Sequence, residues 1–314
     1  MTPQNPDPSS SSINSGRFAN WIWALVVYTV SVIIWGAWVR ISHSGDGCGQ
    51  HWPLCEGAFI PQQAAGKTWI EYLHRLTSGL YGLFVAALMI QALRIFPRGS
   101  AQRAAAILTF VLMIIEAALG AALVLKGLVG ENATLYRLFV MTFHQINSLL
   151  LVGSTVIWAH LTARSVFPWT DLKGRLRPFS PLALFVCIPA TGAWAALANT
   201  LFPSLNLAEG LQKDFASDSP WILRLRVVHP LLALSLGVIL ALHFYRIAMR
   251  TSDSASRQAA LRVSGVFAGA LIFGILTLIS LSPIWMKLVH LTWAQLLWIS
   301  LVSYAITSLL STRR

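Results

Sequence analysis

Runs of about 20 predominantly apolar residues recur along this chain, each long enough to cross the hydrocarbon core of a bilayer as one helix. They fall near residues 21–40, 70–94, 103–126, 137–163, 180–201, 222–247, 261–282 and 285–310. With 56% hydrophobic residues, only 11% charged ones and a mean hydropathy of +0.65, the composition excludes an ordinary soluble domain. The expected fold is an all-α integral membrane protein of eight transmembrane helices.

Lysine and arginine placement sets the orientation. Fourteen of the 23 basic residues lie at the two termini or in the loops after the second, fourth and sixth runs, against only Asp7, Asp171 and Asp253 there. Both termini are therefore expected on the cytoplasmic side of a cell membrane. The net charge of +12 is a topology signal rather than a nucleic-acid footprint, and no nucleic acid is expected as a partner. The first 18 residues are rich in Ser, Pro and Asn and lack a basic start before an apolar core, so they read as a disordered tail and not a cleaved signal.

On this topology the outer loops alternate in length: long at 41–69, short, long at 202–221, short. That pattern suggests two pseudo-symmetric four-helix bundles, 21–163 and 180–314, after a tail at 1–20 and joined by a linker at 164–179. Histidine placement agrees. HRLTSGL at 74–80 can be laid over HPLLALSLG at 229–237, and His144 and His290 each open the last helix of a half. If odd runs lead outward and even runs lead inward, His74, His144, His229 and His290 lie at similar depth as two pairs. Polar groups in hydrocarbon are costly and usually serve function, and four at equivalent positions outweigh the ordinary case of a histidine bonded to a neighbouring carbonyl.

Haem suits the four better than a bare metal. Two imidazoles facing each other across a bundle satisfy a six-coordinate haem iron, and the porphyrin fills the apolar space between helices. His160 and His243 lie about 24 and 21 Å further down their helices, near the cytoplasmic interface, and are expected to be bystanders. A di-iron carboxylate site would also use Glu-x-x-His, present here as Glu71 to His74. It needs further carboxylates, and only Glu116 remains inside an apolar run. The positions three residues before each histidine share its helical face. They read Glu71 and Met141 in the first half but Arg226 and Lys287 in the second. Arg226 and Lys287 are candidate partners for haem propionates, as are Arg75 and Arg137 in the first half. A carboxylate at Glu71 suits a reacting substrate, as a proton acceptor or an orienter of water; pairing with Arg75 at the interface is the plainer alternative.

Cys48 and Cys55 flank GQHWPL in the first outer loop, on the oxidising side, while Cys187 lies inside the fifth run. A disulfide between the first two would contribute roughly 2.5 kcal/mol by loop-closure entropy, either as a staple or as a redox-active pair. Zinc would have only His43 and His51 nearby, and C-x-x-C-H for covalent haem is absent. Cys187 is expected to be a reduced core residue. Asp214 and Asp218, in the third outer loop, are expected to be solvated.

The run GAWVRISHSGDGCGQHWPLCEGAFIP followed by IEYLHRLTSG resembles the first outer loop and second helix of haem A synthases, and the likeness extends over most of the chain, including HQINSLLL at 144–151. The resemblance implies oxidation of the C8 methyl of haem O to a formyl group by successive hydroxylation and loss of water. It implies that His74 and His144 hold the substrate haem O, that Glu71 is catalytic, and that His229 and His290 hold a haem b cofactor. The enzyme would supply haem A to terminal oxidases. Expected partners are the protohaem farnesyltransferase that makes haem O, cytochrome oxidase assembly factors, the lipid bilayer and a second copy of the chain. Some members carry another cysteine pair in the third outer loop, and FPSLNLAEGLQKDFASDSPW here has none. The competing classes are a di-haem electron-transfer subunit, which would retain both haems and leave Glu71 dispensable, and a repeat-built transporter, whose site would lie nearer the midplane.

Overall fold

The computed structural model describes residues 8–62, 65–164, 166, 168 and 179–311, with side chains from Gly16 to Leu310. Ten helices occur among the described residues: α1 Pro8–Ile41, α2 Gly66–Ile95, α3 Ala101–Leu125, α4 Leu135–Thr162, α5 Ser180–Leu201, α6 Leu207–Phe215, α7 Trp221–Arg226, α8 Val228–Arg250, α9 Ser254–Ile279 and α10 Ile284–Ser311. Eight segments are long and apolar enough to span a bilayer, with α7 and α8 together forming the sixth. This is a multi-pass membrane protein.

Local chemistry explains where several helices start and where one breaks. Ser100, Thr134 and Asp253 each accept a hydrogen bond from the backbone N–H three residues on, capping α3, α4 and α9. The Asp253 cap starts α9 at Ser254, well before the expected 261, because the polar stretch SASRQAALR is helical although it is not apolar. The sixth span breaks at Val227. Pro230 has no N–H for the Arg226 carbonyl, and its ring crowds that turn, so the chain re-enters the helix one residue later and His229 falls just after the break.

One expectation about helix extent needs correction. Residues 8–20, read as part of a disordered tail, belong to α1, and its span-forming part begins at Gly16. The third outer loop holds a helix, α6. Its Asn206 cap accepts from Glu209 N–H at 2.9 Å while the Glu209 carboxylate accepts from Leu205 N–H at 2.8 Å. Residues 1–7, most of the 164–179 linker with Asp171, Lys173, Arg175 and Arg177, and the terminal Arg313 and Arg314 lie outside the described residues.

Helices α1 to α4 pack in a ring, α1 on α2 and α4, α3 on α2 and α4. Helices α5, α8, α9 and α10 form a second set, and α4 meets both α5 and α10 at the seam. The buried share of each span identifies the central element: 56% for α4 against 17% for α2 and α3. Exposed apolar side chains such as Leu83, Phe84, Ile114, Leu231 and Ile239 supply the outward faces that lipid would cover. At the seam Trp298 of α10 donates its indole N–H to the Leu149 carbonyl of α4 at 2.6 Å, both residues being buried. The aromatic core of the second set stacks Phe185 on Trp298 and Phe244 on Phe267.

Candidate functional site

His74, His144, His229 and His290 come eight, nine, eight and six residues after the first residues of their spans, Gly66, Leu135, Trp221 and Ile284. At 1.5 Å per residue they therefore lie about 9–14 Å from the same end of the molecule. Each ring is seated against a glycine of the preceding span. A Cβ on Gly36 of α1 would stand 3.0 Å from His74 Cε1, and one on Gly192 of α5 would stand 3.2 Å from His229 Cε1. The distance is 3.3 Å for Gly274 of α9 against His290, and a looser 3.8 Å for Gly120 of α3 against His144. The missing side chains let the ring edges approach the neighbouring helices. The glycines carry no signal in the sequence; only the histidine ring packed against each one marks them.

His229 and His290 face each other with ring centroids 6.3 Å apart. With metal–imidazole bonds of about 2 Å and roughly 1 Å from nitrogen to ring centre, a spacing of about 6 Å would suit two imidazoles holding one iron. His229 Nδ1 lies 3.0 Å from the Ile188 carbonyl, which can only accept, so Nδ1 carries the proton and Nε2 keeps its lone pair for a metal. The Nδ1 atoms of His74, His144 and His290 are buried without a hydrogen bond. Among the described residues no group of three or more His, Cys, Asp or Glu side chains is placed to hold a bare metal ion. Two histidines per site fit haem, whose porphyrin supplies the remaining ligands.

The loop from Ser42 to Gln62 packs on the first turns of α2, which carries His74. Cys48 and Cys55 are disulfide-bonded, with S–S 2.01 Å, and both are buried. The loop docks on α2 through Glu71. Cys48 N–H donates to Glu71 Oε2 at 2.8 Å, and Arg75 donates to Oε1 through Nε at 3.1 Å and through Nη2. Arg75 also donates to the Leu54 carbonyl at 2.6 Å and to the His51 carbonyl. Gly47 makes this docking feasible: a Cβ there would stand 2.6 Å from the Lys67 carbonyl oxygen. Glu71 is 3% exposed, so the plainer pairing with Arg75 is present and is also buried.

The other candidate cations divide into engaged and free. Arg226 pairs with Asp214 at 2.6 Å and donates to Asn199, the Phe202 carbonyl and the Gly210 carbonyl. Asp214 is thus buried, contrary to the expectation of a solvated charge, because α6 folds back to bring it under Arg226; Asp218 is exposed as expected. Arg137 donates to the Gly130 and Asn132 carbonyls. Lys287 makes no ion pair among the described residues. Arg40, at the end of α1, was not foreseen. Its Nε is buried without a partner, and it lies within electrostatic range of Arg137, Lys287 and His144. Glu116, foreseen only as a lone carboxylate, contacts His144 across α3 and α4 at 3.3 Å.

The bystanders stand apart. His160 packs edge-on against Trp23, His243 against Phe244, and His43 lies 3.5 Å from Glu131. Cys187 is a free thiol but is exposed, not in the core: α5 turns that face outward.

Residues 19–302 match the COX15-CtaA family, described as cytochrome oxidase assembly proteins. The chain belongs to this family. A protein of Thermus thermophilus named Protoheme IX farnesyltransferase is 34% identical over 303 residues, covering 93% of this chain and 48% of that protein. Heme A synthases of Bacillus mycoides and Bacillus cereus are each 38% identical over 112 residues, covering 35% of this chain and 36% of theirs. The chain therefore spans about half the length of the Thermus relative, and the Bacillus matches cover about a third of either partner.

Proposed function

We propose that the chain is a haem A synthase, which binds haem O among α1 to α4 and oxidises its C8 methyl to a formyl group, with haem b held among α5, α8, α9 and α10. The observation that carries this reading is the set of four histidines at one level, each seated on a glycine, in a member of the cytochrome oxidase assembly family. The same set supports reading the chain as two pseudo-symmetric bundles.

His229 and His290 hold haem b, which supplies one-electron transfer when bound. His74 and His144 hold the substrate. Arg40, Arg137 and Lys287, cations at the loop-bearing end with no carboxylate bound to them among the described residues, are assigned to propionates. Glu71, one turn from His74, is assigned to handling a proton or a water at the substrate methyl. Both its oxygens are occupied, so its freedom to react is set by how firmly the disulfide loop is docked. The loop excludes water from the end of α2.

The basic residues support placing both termini in the cytoplasm and the histidines near the outer face of the plasma membrane. The name of the Thermus relative supports a farnesyltransferase that makes haem O as the neighbouring activity. The test is extraction of pigment from purified protein and separation of haems b, O and A by chromatography. Haem b together with haem O or A is the expected result; haem b alone, even when the farnesyltransferase is co-produced, would instead indicate a di-haem electron-transfer protein.

A further inference from the structure

Helix α3 carries one carboxylate within its apolar span, Glu116, to which the chemistry above gives no task. An ionisable group at that depth is costly, and its partner is the guide to its role. Glu116 Oε1 lies 3.3 Å from His144 Nδ1, within hydrogen-bonding distance although the N–H is not aimed at it. The carboxylate itself is fixed from α4. Asn147 Nδ2 donates to Oε2 at 2.7 Å and to the Leu112 carbonyl at 2.9 Å, and Ser148 Oγ donates to Oε1. Asn147 and Ser148 follow His144 by three and four residues and share its helical face. One turn beyond Glu116 stands Gly120, the residue on which the His144 ring rests. Glu-x-x-x-Gly on α3 thus faces His-x-x-Asn-Ser on α4.

The second half has the frame without the carboxylate. Gly274 seats His290, but one turn before it stands Ala270, and three and four residues after His290 stand Trp293 and Ala294. Trp293 donates to the Val266 carbonyl, and His290 Nδ1 stays without a partner. Of the four rings, His229 has a backbone carbonyl at Nδ1 and, among the described residues, only His144 has a carboxylate there.

We propose that Glu116 is the positioning residue for His144: it accepts the Nδ1 proton in a hydrogen bond, fixes the tautomer that leaves Nε2 for the substrate haem iron, and makes this ring the most electron-donating of the four. The proposal rests on reading the first half as the haem O site. A carboxylate behind a ligand histidine raises its basicity and favours ferric over ferrous iron. The substrate iron then has a lower midpoint potential than the same haem would have behind a neutral partner.

The test uses the full chain in lipid nanodiscs, with haem O added to wild type, Glu116→Gln, Glu116→Asp and His144→Ala. Haem O affinity is read by absorbance titration and the midpoint potential by spectroelectrochemistry, with bound haem b as the marker of correct folding. Glu116→Gln should retain haem b, bind ferric haem O about 10- to 100-fold more weakly and show a raised midpoint potential. Glu116→Asp should recover part of both. Unchanged haem O binding in His144→Ala would overturn the first-half reading itself. Binding lost in His144→Ala but wild-type affinity and potential in Glu116→Gln would overturn the role of Glu116 alone. Loss of haem b in Glu116→Gln would likewise count against it, making the carboxylate a packing group for Asn147 and Ser148.

Discussion

Replacing Glu71 with Gln separates two roles that meet in one carboxylate. In the structure its oxygens accept from Cys48 N–H at 2.8 Å and from Arg75 Nε at 3.1 Å, with a further bond from Arg75 Nη2. A glutamine keeps one acceptor oxygen and turns an NH2 toward the other donors, so at least one charge-assisted bond is lost. Such bonds are worth about 1.5–3 kcal/mol each. The site is nearly dry, with Glu71 3% exposed, so solvent recovers little of that. At about 1.4 kcal/mol per factor of ten, the docked loop should open roughly ten- to a hundredfold more often. Hydrogen exchange at the Cys48 amide, followed by mass spectrometry, reads that directly. In cells that also produce the farnesyltransferase, haem chromatography should show normal haem b, little haem A and accumulated haem O. Unchanged protection of the Cys48 amide would refute the claim that Glu71 holds the loop. Wild-type haem A would refute its catalytic assignment, whatever the loop does.

Alanine at His229 or His290 should remove or destabilise bound haem b in purified protein, and full retention with an unchanged low-spin spectrum in both would cancel that ligand assignment. Cys48 and Cys55 should resist alkylation until reduced, whereas Cys187, exposed on α5, should react with an apolar maleimide without reduction; a free Cys48 thiol under oxidising conditions would remove the bond. Asp214→Ala strands Arg226 at a site where the two side chains are 6% and 12% exposed. The cost of about 3–5 kcal/mol for breaking a buried pair should appear as a clear fall in Tm, and an unchanged Tm would mean that α6 is not held by this pair.

The eight spans were legible because a bilayer demands one long apolar run per crossing, and each expected run overlaps its observed span. Helix ends were less so. Hydropathy puts the start of the seventh run at its first apolar stretch, but a cap at Asp253 starts a helix before hydrophobicity does. Pro230 is visible in the sequence, yet its effect falls on the turn before it, where hydropathy shows no break. The four histidines stood out as polar groups in apolar runs, whereas their glycine seats did not, because a glycine in a membrane helix is common and only a neighbour's ring gives it meaning. Asp214 escapes a sequence reading for a similar reason. Its burial depends on α6 folding back onto Arg226, a contact between segments that local polarity does not encode.

The residues three positions before His74 and His229 differ in sign but do one job. Glu71 fastens the loop that contains Cys48, and Arg226 fastens α6 through Asp214 and the Gly210 carbonyl. In each half the turn that precedes the histidine is tied to the segment capping its own end of the molecule. The sign difference that separates the two positions in the sequence also gives, in the fold, two clasps of opposite polarity. What distinguishes the clasps is their chemistry. The α6 clasp is an ion pair with backbone bonds around it, and nothing in it responds to redox conditions. The first clasp hangs from a disulfide, so a reductant that opens Cys48–Cys55 would loosen the backbone that presents its N–H to Glu71. Under the proposed function that difference matches what each half must do, because a resident haem b needs a permanent cover while haem O must enter and haem A must leave.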